Sequence, residues 1–365
     1  MEKIKKSSFD GVLFATVVIL SLFGLIMIFS ASAPSAFVLH GDSFYFVKKQ
    51  LIWTVLGFGA LLFCASFDYK KYKKFGMLMY VLNIILLILV LIIGVETKGA
   101  KRWINLGIGT FQPSEFTKVS IVILLAMYFT SMEKSKQSFS NIYVPLLVIV
   151  GIPCALLLLQ PHFSVIIIIC GTVFTMLLSF GIKFKFYVPL IFLGLGAGGF
   201  LAISEPYRLK RITAYLDPFQ DKLGDGWQIV QSLYAISSGG IFGLGLSRSR
   251  QKHLYIPEPQ NDYIFSIICE ELGLIGATLV IVLFGILLFR CIKIAVDCPD
   301  SFGTYMAFGM SALIIIQVIL NIGVAINLLP ATGIPLPFFS AGGSSFVFQM
   351  IAMGIVLNIS RYKRG

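Results

Sequence analysis

The chain has 365 residues, 57% of them hydrophobic and only 13% charged, and its mean hydropathy is +0.90. Soluble domains carry about 25% charged residues, so that class is excluded and a polytopic membrane protein remains. The net charge of +12 does not mark a nucleic-acid binder. The lysines and arginines sit in short loops between apolar runs, where membrane orientation accounts for them.

Ten apolar stretches reach helix length, at about 11–32, 50–67, 76–95, 113–131, 143–160, 163–181, 186–203, 262–290, 304–328 and 340–360. They predict an all-α polytopic membrane protein of about ten transmembrane helices. The first stretch follows Lys3, Lys5 and Lys6 and ends at Ala31-Ser32-Ala33, as a cleaved leader would. At about 20 residues it is long enough to span, and it reads as a retained first helix. Gln160-Pro161-His162 leaves so little chain between the fifth and sixth stretches that they must form a hairpin.

Orientation follows from the short loops. An N-terminus in the cytoplasm puts Lys70, Lys71, Lys73, Lys74, Lys134, Lys136, Lys183, Lys185, Arg290, Lys293, Arg361, Lys363 and Arg364 inside with the three N-terminal lysines. That is more than half of the 29 basic residues, so both termini are expected inside. The long polar interruption at about 204–261 then faces outward. Within it, Tyr207 to Leu216 reads as a short basic amphipathic helix and Trp227 to Ser237 as a second, both suited to lying on the outer membrane surface. Asp217-Pro218 and the 221–226 stretch supply turn chemistry between them. No repeat of fixed period interrupts the chain, and residues 1–365 read as one integral membrane domain.

The outward segments hold the candidate chemistry. Asp262 ends the long loop at the lip of a membrane helix, where it can serve either as a helix-capping acid or as a base that takes a proton from an attacking hydroxyl. Glu270 and Glu271 lie about 12 Å further along that helix. At such depth they call for structural partners or a polar cavity. Glu115 and Lys118 share a helix face at i,i+3, either as an internal ion pair or as the lining of a polar cavity. Lys98, Lys101 and Arg102, with Arg208, Lys210, Arg211, Arg248, Arg250 and Lys252, make outward cationic patches. These can hold phosphates or lipid headgroups. The Pro/Gly/Ser-rich stretch 329–345, with Gly342, Gly343 and the Ser344 hydroxyl, suits either close backbone approach to a ligand or a simple helix breaker. His40, His162 and His253, and Cys64, Cys154, Cys170, Cys269, Cys291 and Cys298, show no metal-site spacing.

Several short segments, in order, resemble one family. They are Ser30–Ala33, Arg102-Trp103, Gln112-Pro-Ser-Glu115, Gln160-Pro161, Tyr207–Ile212, Gln231–Ala235, Ser249–Lys252, Pro257-Glu-Pro259, Glu270-Glu-Leu-Gly273, Pro330, Thr332–Phe338 and Gly342-Gly-Ser-Ser345. Together they make the chain similar to the SEDS proteins (shape, elongation, division and sporulation), which include FtsW, RodA and SpoVE, and nearest to the FtsW/SpoVE branch.

The resemblance implies a peptidoglycan glycosyltransferase of the bacterial cytoplasmic membrane. It would polymerise lipid II into β-1,4 glycan on the outer face, beside a class B penicillin-binding protein, for division or sporulation. It makes Asp262 the catalytic residue, the base that takes the acceptor's proton. Arg102, Lys118, Arg208, Lys210, Arg211, Arg250, Lys252 and Ser344 become substrate-binding candidates, while Glu115, Glu270 and Glu271 are structural groups of a polar cavity. No cofactor is required, although a divalent cation (Mg or Mn) could join at the diphosphate. The rival readings are a lipid II flippase and a non-catalytic scaffold for the penicillin-binding protein. Three departures stand out: Asn261-Asp-Tyr263 replaces Thr-Asp-Phe, His162 replaces an acid after Gln-Pro, and Ala341 replaces a tyrosine.

Overall fold

The computed structural model describes residues 5–6, 8–97, 99–105, 107, 109–133, 137–203, 206–222, 224 and 226–363, without the side chains of 5, 6, 97, 195, 197, 200–208 and 363. The helices are α1 (Gly11–His40), α2 (Tyr45–Ser66), α3 (Tyr72–Ile93), α4 (Pro113–Met132), α5 (Phe139–Leu146), α6 (Ile152–Leu159), α7 (Phe163–Phe180), α8 (Tyr187–Ile203), α9 (Pro206–Leu216), α10 (Trp227–Gly239), α11 (Ile264–Asp297), α12 (Ser301–Ala325) and α13 (Gly343–Ile359). Among the described residues, eight stretches are long and apolar enough to cross a membrane. Two shorter apolar helices, at Phe184–Gly194 and Gly343–Ile359, complete the ten expected spans.

Local chemistry sets the helix ends. The Asp10 carboxylate accepts the Leu13 amide at 2.9 Å to start α1, and Asp300 accepts that of Gly303 at 2.9 Å to start α12. Pro113 opens α4, where its missing N–H costs nothing. Gly41 and Gly181 close α1 and α7 in the left-handed region. Helix α1 runs to His40, eight residues past the expected end, and its Ala31 and Ser32 are buried mid-helix. Helices α5 and α6 form one span through a π-turn at Leu147–Gly151, flanked by Pro145 and Pro153.

Helices α4 and α12 are mostly buried and form the centre of the bundle, while α3 and α5–α6 stand at its rim with most of their apolar surface exposed. The two ends of the chain meet at one face, where β1 (Lys5–Lys6) pairs with β5 (Tyr362–Lys363) in antiparallel register. There the Asp10 carboxylate also pairs with Arg290. The opposite face carries the α6–α7 turn, α9, α10 and the loops leading into α11 and α13.

Two features of that second face depart from expectation. A small antiparallel sheet, β2 (Val95–Thr97), β3 (Ala100–Asn105) and β4 (Thr110–Phe111), follows α3. Its signals in the sequence are Gly99 and Gly107, both in the positive-φ turns between strands. Helix α10, expected on the membrane surface, packs one face into the bundle. It buries Ile229, Val230, Ser232 and Ala235, and the Ser232 hydroxyl donates to Ala325 O at 2.7 Å. Its polar serine is satisfied inside the bundle, which makes burial possible.

Helix α11 is broken at Gly273, whose φ of 64° and ψ of −163° are not helical. The loop after α10 repairs the break. Leu244 N–H donates to Glu270 O at 3.0 Å, Gly245 N–H to Glu271 O at 2.9 Å, and Leu274 N–H to Gly240 O at 2.9 Å. Backbone groups freed inside a membrane protein need such partners.

Candidate active site

Helix α9 places Lys210 and Arg211 beside the loop that follows α12. Arg211 Nη1 donates to Ala331 O at 3.0 Å, and the Tyr215 hydroxyl donates to Leu328 O at 3.2 Å. Trp227 Nε1 donates to Tyr255 O at 2.6 Å and holds the start of α10 against the segment that leads into α11. Between these elements lies an open cavity of about 470 Å³. Lys210 and Arg211 line one side of it. Asp262 and Tyr263 line it as well, with Trp227, Gln228, Pro257, Val324 and residues 331–334 forming most of the rest of the wall.

Asp262 is half-buried and precedes the helix by two residues. The N-cap of α11 is Tyr263, and no side chain caps it, so Asp262 is not the capping acid. Gly333 adopts φ +68°, and a Cβ there would lie 3.4 Å from the Asp262 carboxylate. Burial and then the neighbouring Asp262 charge push the Tyr263 phenol up, and Arg211 opposes them. The acid and the cation therefore act on the same group across the cavity. A carboxylate and two cations lining one space of this size suit a ligand with a proton to lose and an anionic group to hold.

The other candidate residues fall elsewhere. The side chain of Arg208 and all of Lys98 lie outside the described residues. Lys252, expected to hold a diphosphate, is buried with its ammonium 2.8 Å from Glu271, because the loop after α10 folds back on the broken helix. Glu271 also accepts the Ser30 hydroxyl at 2.5 Å. Glu270 accepts the Ser249 hydroxyl at 2.5 Å and the Arg250 amide at 2.9 Å. The Arg250 side chain is exposed and is not part of the cavity wall.

Lys118 is likewise buried, 2.8 Å from Glu115. Both border a second cavity of about 10 Å³, room for about one water, together with Gln317 and Gln349. Ser344 is buried and accepts the Gln112 amide at 3.3 Å. Arg102 donates to Gln160 O at 3.1 Å and to Pro161 O at 2.5 Å, bracing the α6–α7 turn. Beside it, burial followed by the Arg102 and Lys118 charges holds the His162 imidazole down to about 3. Sequence reasoning thus found the cavity's Asp262, Lys210 and Arg211 but not Tyr263 or Gly333. The positive φ that Gly333 supplies was the available signal.

Fold and cavity define a multi-pass membrane protein with an acid-and-cation site at one end of its bundle. The chain belongs to the FtsW/RodA/SpoVE family of cell cycle proteins, whose model matches residues 10–365. It is 44% identical over 362 residues to the stage V sporulation protein E of Bacillus subtilis (strain 168), covering 99% of both chains. It is 38% identical to a probable peptidoglycan glycosyltransferase FtsW of Trichlorobacter lovleyi, covering 97% of this chain and 93% of the relative. Among solved structures it matches a chain described under "Structural coordination of polymerization and crosslinking by a peptidoglycan synthase complex". That match has a TM-score of 0.80 and 27% identity, and it covers 97% of this chain and 98% of the other. The rod shape determining protein RodA of Thermus thermophilus shares the fold, with a TM-score of 0.72 at 24% identity, covering 97% of each chain.

Proposed function

We infer that this protein is a peptidoglycan glycosyltransferase that polymerises lipid II into β-1,4 glycan, in division or sporulation. The observation that carries the reading is that Asp262, Lys210 and Arg211 line one cavity. The names of its relatives support the substrate class. In this reaction Asp262 takes the proton from the 4-hydroxyl of the acceptor's GlcNAc. The oxygen attacks C1 of the donor's MurNAc, the C1–O bond to the diphosphate breaks, and the polyprenyl diphosphate leaves. Attack opposite an α-linked leaving group gives the β bond by inversion. A positioned base of this kind contributes about 10²–10⁴ in rate. Lys210 and Arg211 meet the charge that grows on the leaving diphosphate.

A divalent cation (Mg or Mn) finds few ligands in this wall, since among the described residues Asp262 is the one carboxylate lining it. Among the described residues no group of three or more His, Cys, Asp or Glu could hold a metal. Lys210 and Arg211 supply the positive charge, and no step runs through a metal.

The cavity opens on the face opposite the paired chain ends. With both termini cytoplasmic, as the basic short loops favour, the reaction takes place on the outer face. The complex that contains the structural relative supports a class B penicillin-binding protein as partner.

The test uses the purified protein with that partner and labelled lipid II. Polymer from wild type and none from Asp262→Ala is the expected result. Transport of lipid II across liposomes without polymer would make the protein a flippase. Normal polymer from Asp262→Ala would remove Asp262 from the mechanism. The flippase reading needs ionisable groups at several depths, whereas Glu115 and Lys118 lie within two turns of the start of α4, and Glu270 and Glu271 within about two turns of the start of α11.

A further inference from the structure

Three consecutive carbonyls on the approach to α11 are each held by a donor from the α12–α13 side. Gln260 O accepts from the Ala341 amide at 2.9 Å, and Asn261 O from the Ser340 hydroxyl at 2.5 Å. Asp262 O accepts from Asn321 Nδ2 at 2.8 Å. The same Asn321 Nδ2 reaches Ile334 O, also at 2.8 Å. One amide group, 1% exposed, thus ties the acid-bearing segment to the cavity wall. Helix α9 docks on the same loop through Arg211 and Tyr215. The acid and the cations are mounted on one loop from opposite sides, and Asn321 is the pin on the acid's side.

We propose that Asn321 is a positioning residue for the glycosyl transfer: it fixes the Asp262 backbone to Ile334 and so sets the carboxylate's place opposite Lys210 and Arg211. Ser340 is the second pin. The proposal rests on the glycosyltransferase reading. Proton transfer requires the acceptor oxygen within about 3 Å of the hydroxyl, and a displacement of about 1 Å can cost about 100-fold. Arg211 keeps its bond to Ala331 O when Asn321 is removed. The loss should therefore fall on kcat and leave KM for lipid II nearly untouched.

The experiment measures polymerisation kinetics of the purified complex for Asn321→Ala, Ser340→Ala and a matched control, Asn358→Ala. Asn358 makes the same kind of bond toward the other face, its Nδ2 donating to Ala65 O at 2.7 Å while its Oδ1 accepts the Tyr69 amide at 2.9 Å. It is equally enclosed, so its loss should cost comparable stability. The expected result is a kcat lowered about 30-fold for Asn321→Ala with KM within about 3-fold. Ser340→Ala should show a smaller loss of the same kind, and Asn358→Ala a wild-type kcat. A wild-type kcat for Asn321→Ala, or an equal loss in the control, overturns the proposal. Should Asn321→Ala not yield folded complex, the Ser340→Ala kcat decides in its place. Absence of polymer from wild type overturns the glycosyltransferase reading and the proposal with it. Polymer from wild type with an unaffected Asn321→Ala overturns the proposal alone.

Discussion

The Lys252 ammonium lies 2.8 Å from the Glu271 carboxylate, with the two side chains 3% and 0% exposed. A pair so enclosed is a brace, and removing one partner leaves a buried charge alone, at a cost of about 3–5 kcal/mol. Lys252→Met and Glu271→Leu should each lower the thermal midpoint of the purified protein sharply. The double substitution should recover much of the loss, because no lone charge remains. Additive losses in the double variant would show that the two groups are not coupled.

Lys210 and Arg211 differ from Lys252 because both line the cavity that holds Asp262. Substituting either by alanine should lower kcat/KM for lipid II about 10-fold, the scale of one charge-assisted contact to a diphosphate. Arg211→Lys keeps the charge but loses the fork that reaches Ala331 O, so it should fall between wild type and alanine. Equal kinetics for Arg211→Lys and wild type would confine the role of Arg211 to its charge.

The bundle was legible because apolar runs of membrane length carry their own signal, and one long polar loop that carries Lys210 and Arg211 and ends at Asp262 marked where chemistry could sit. The fate of Lys252 was not legible. It depends on three glycines that let two backbones touch. A Cβ on Gly239 would lie 2.0 Å from Cys269 O, one on Gly243 2.1 Å from Glu271 O, and one on Gly273 2.4 Å from the Gly243 nitrogen. Sequence shows glycines there but not which strand of chain they admit. Asn321 was hidden for a similar reason, since its partners Asp262 and Ile334 come from separate segments.

Gly333 sits in the left-handed region against Asp262. In Gly333→Ala the new methyl meets the carboxylate at 3.4 Å, and the backbone carries about 1–2 kcal/mol of strain. At that distance the methyl itself displaces nothing, so polymerisation should fall about 10-fold only as the strained backbone relaxes and carries the wall away from the acid, while the protein still purifies with its partner. Wild-type activity would show that the wall can yield without moving Asp262.

His162, partly buried with an enclosed Nδ1, stands where the family pattern has an acid. Burial, Arg102 and Lys118 hold its imidazole down to about 3, against 6.5 ordinarily. Between those two pH values the unfolded chain binds a proton at this residue and the folded protein does not. Stability from this group is therefore full above about pH 6.5 and is lost progressively as pH falls toward about 3. His162→Gln lacks the titrating group. Its thermal midpoint should decline less than that of wild type between pH 6.5 and 4, while the offset between the two proteins stays constant above about pH 7.5. Parallel curves through the acid range would mean that the imidazole takes up its proton in the folded state, with Arg102 and Lys118 too far or too screened to prevent it.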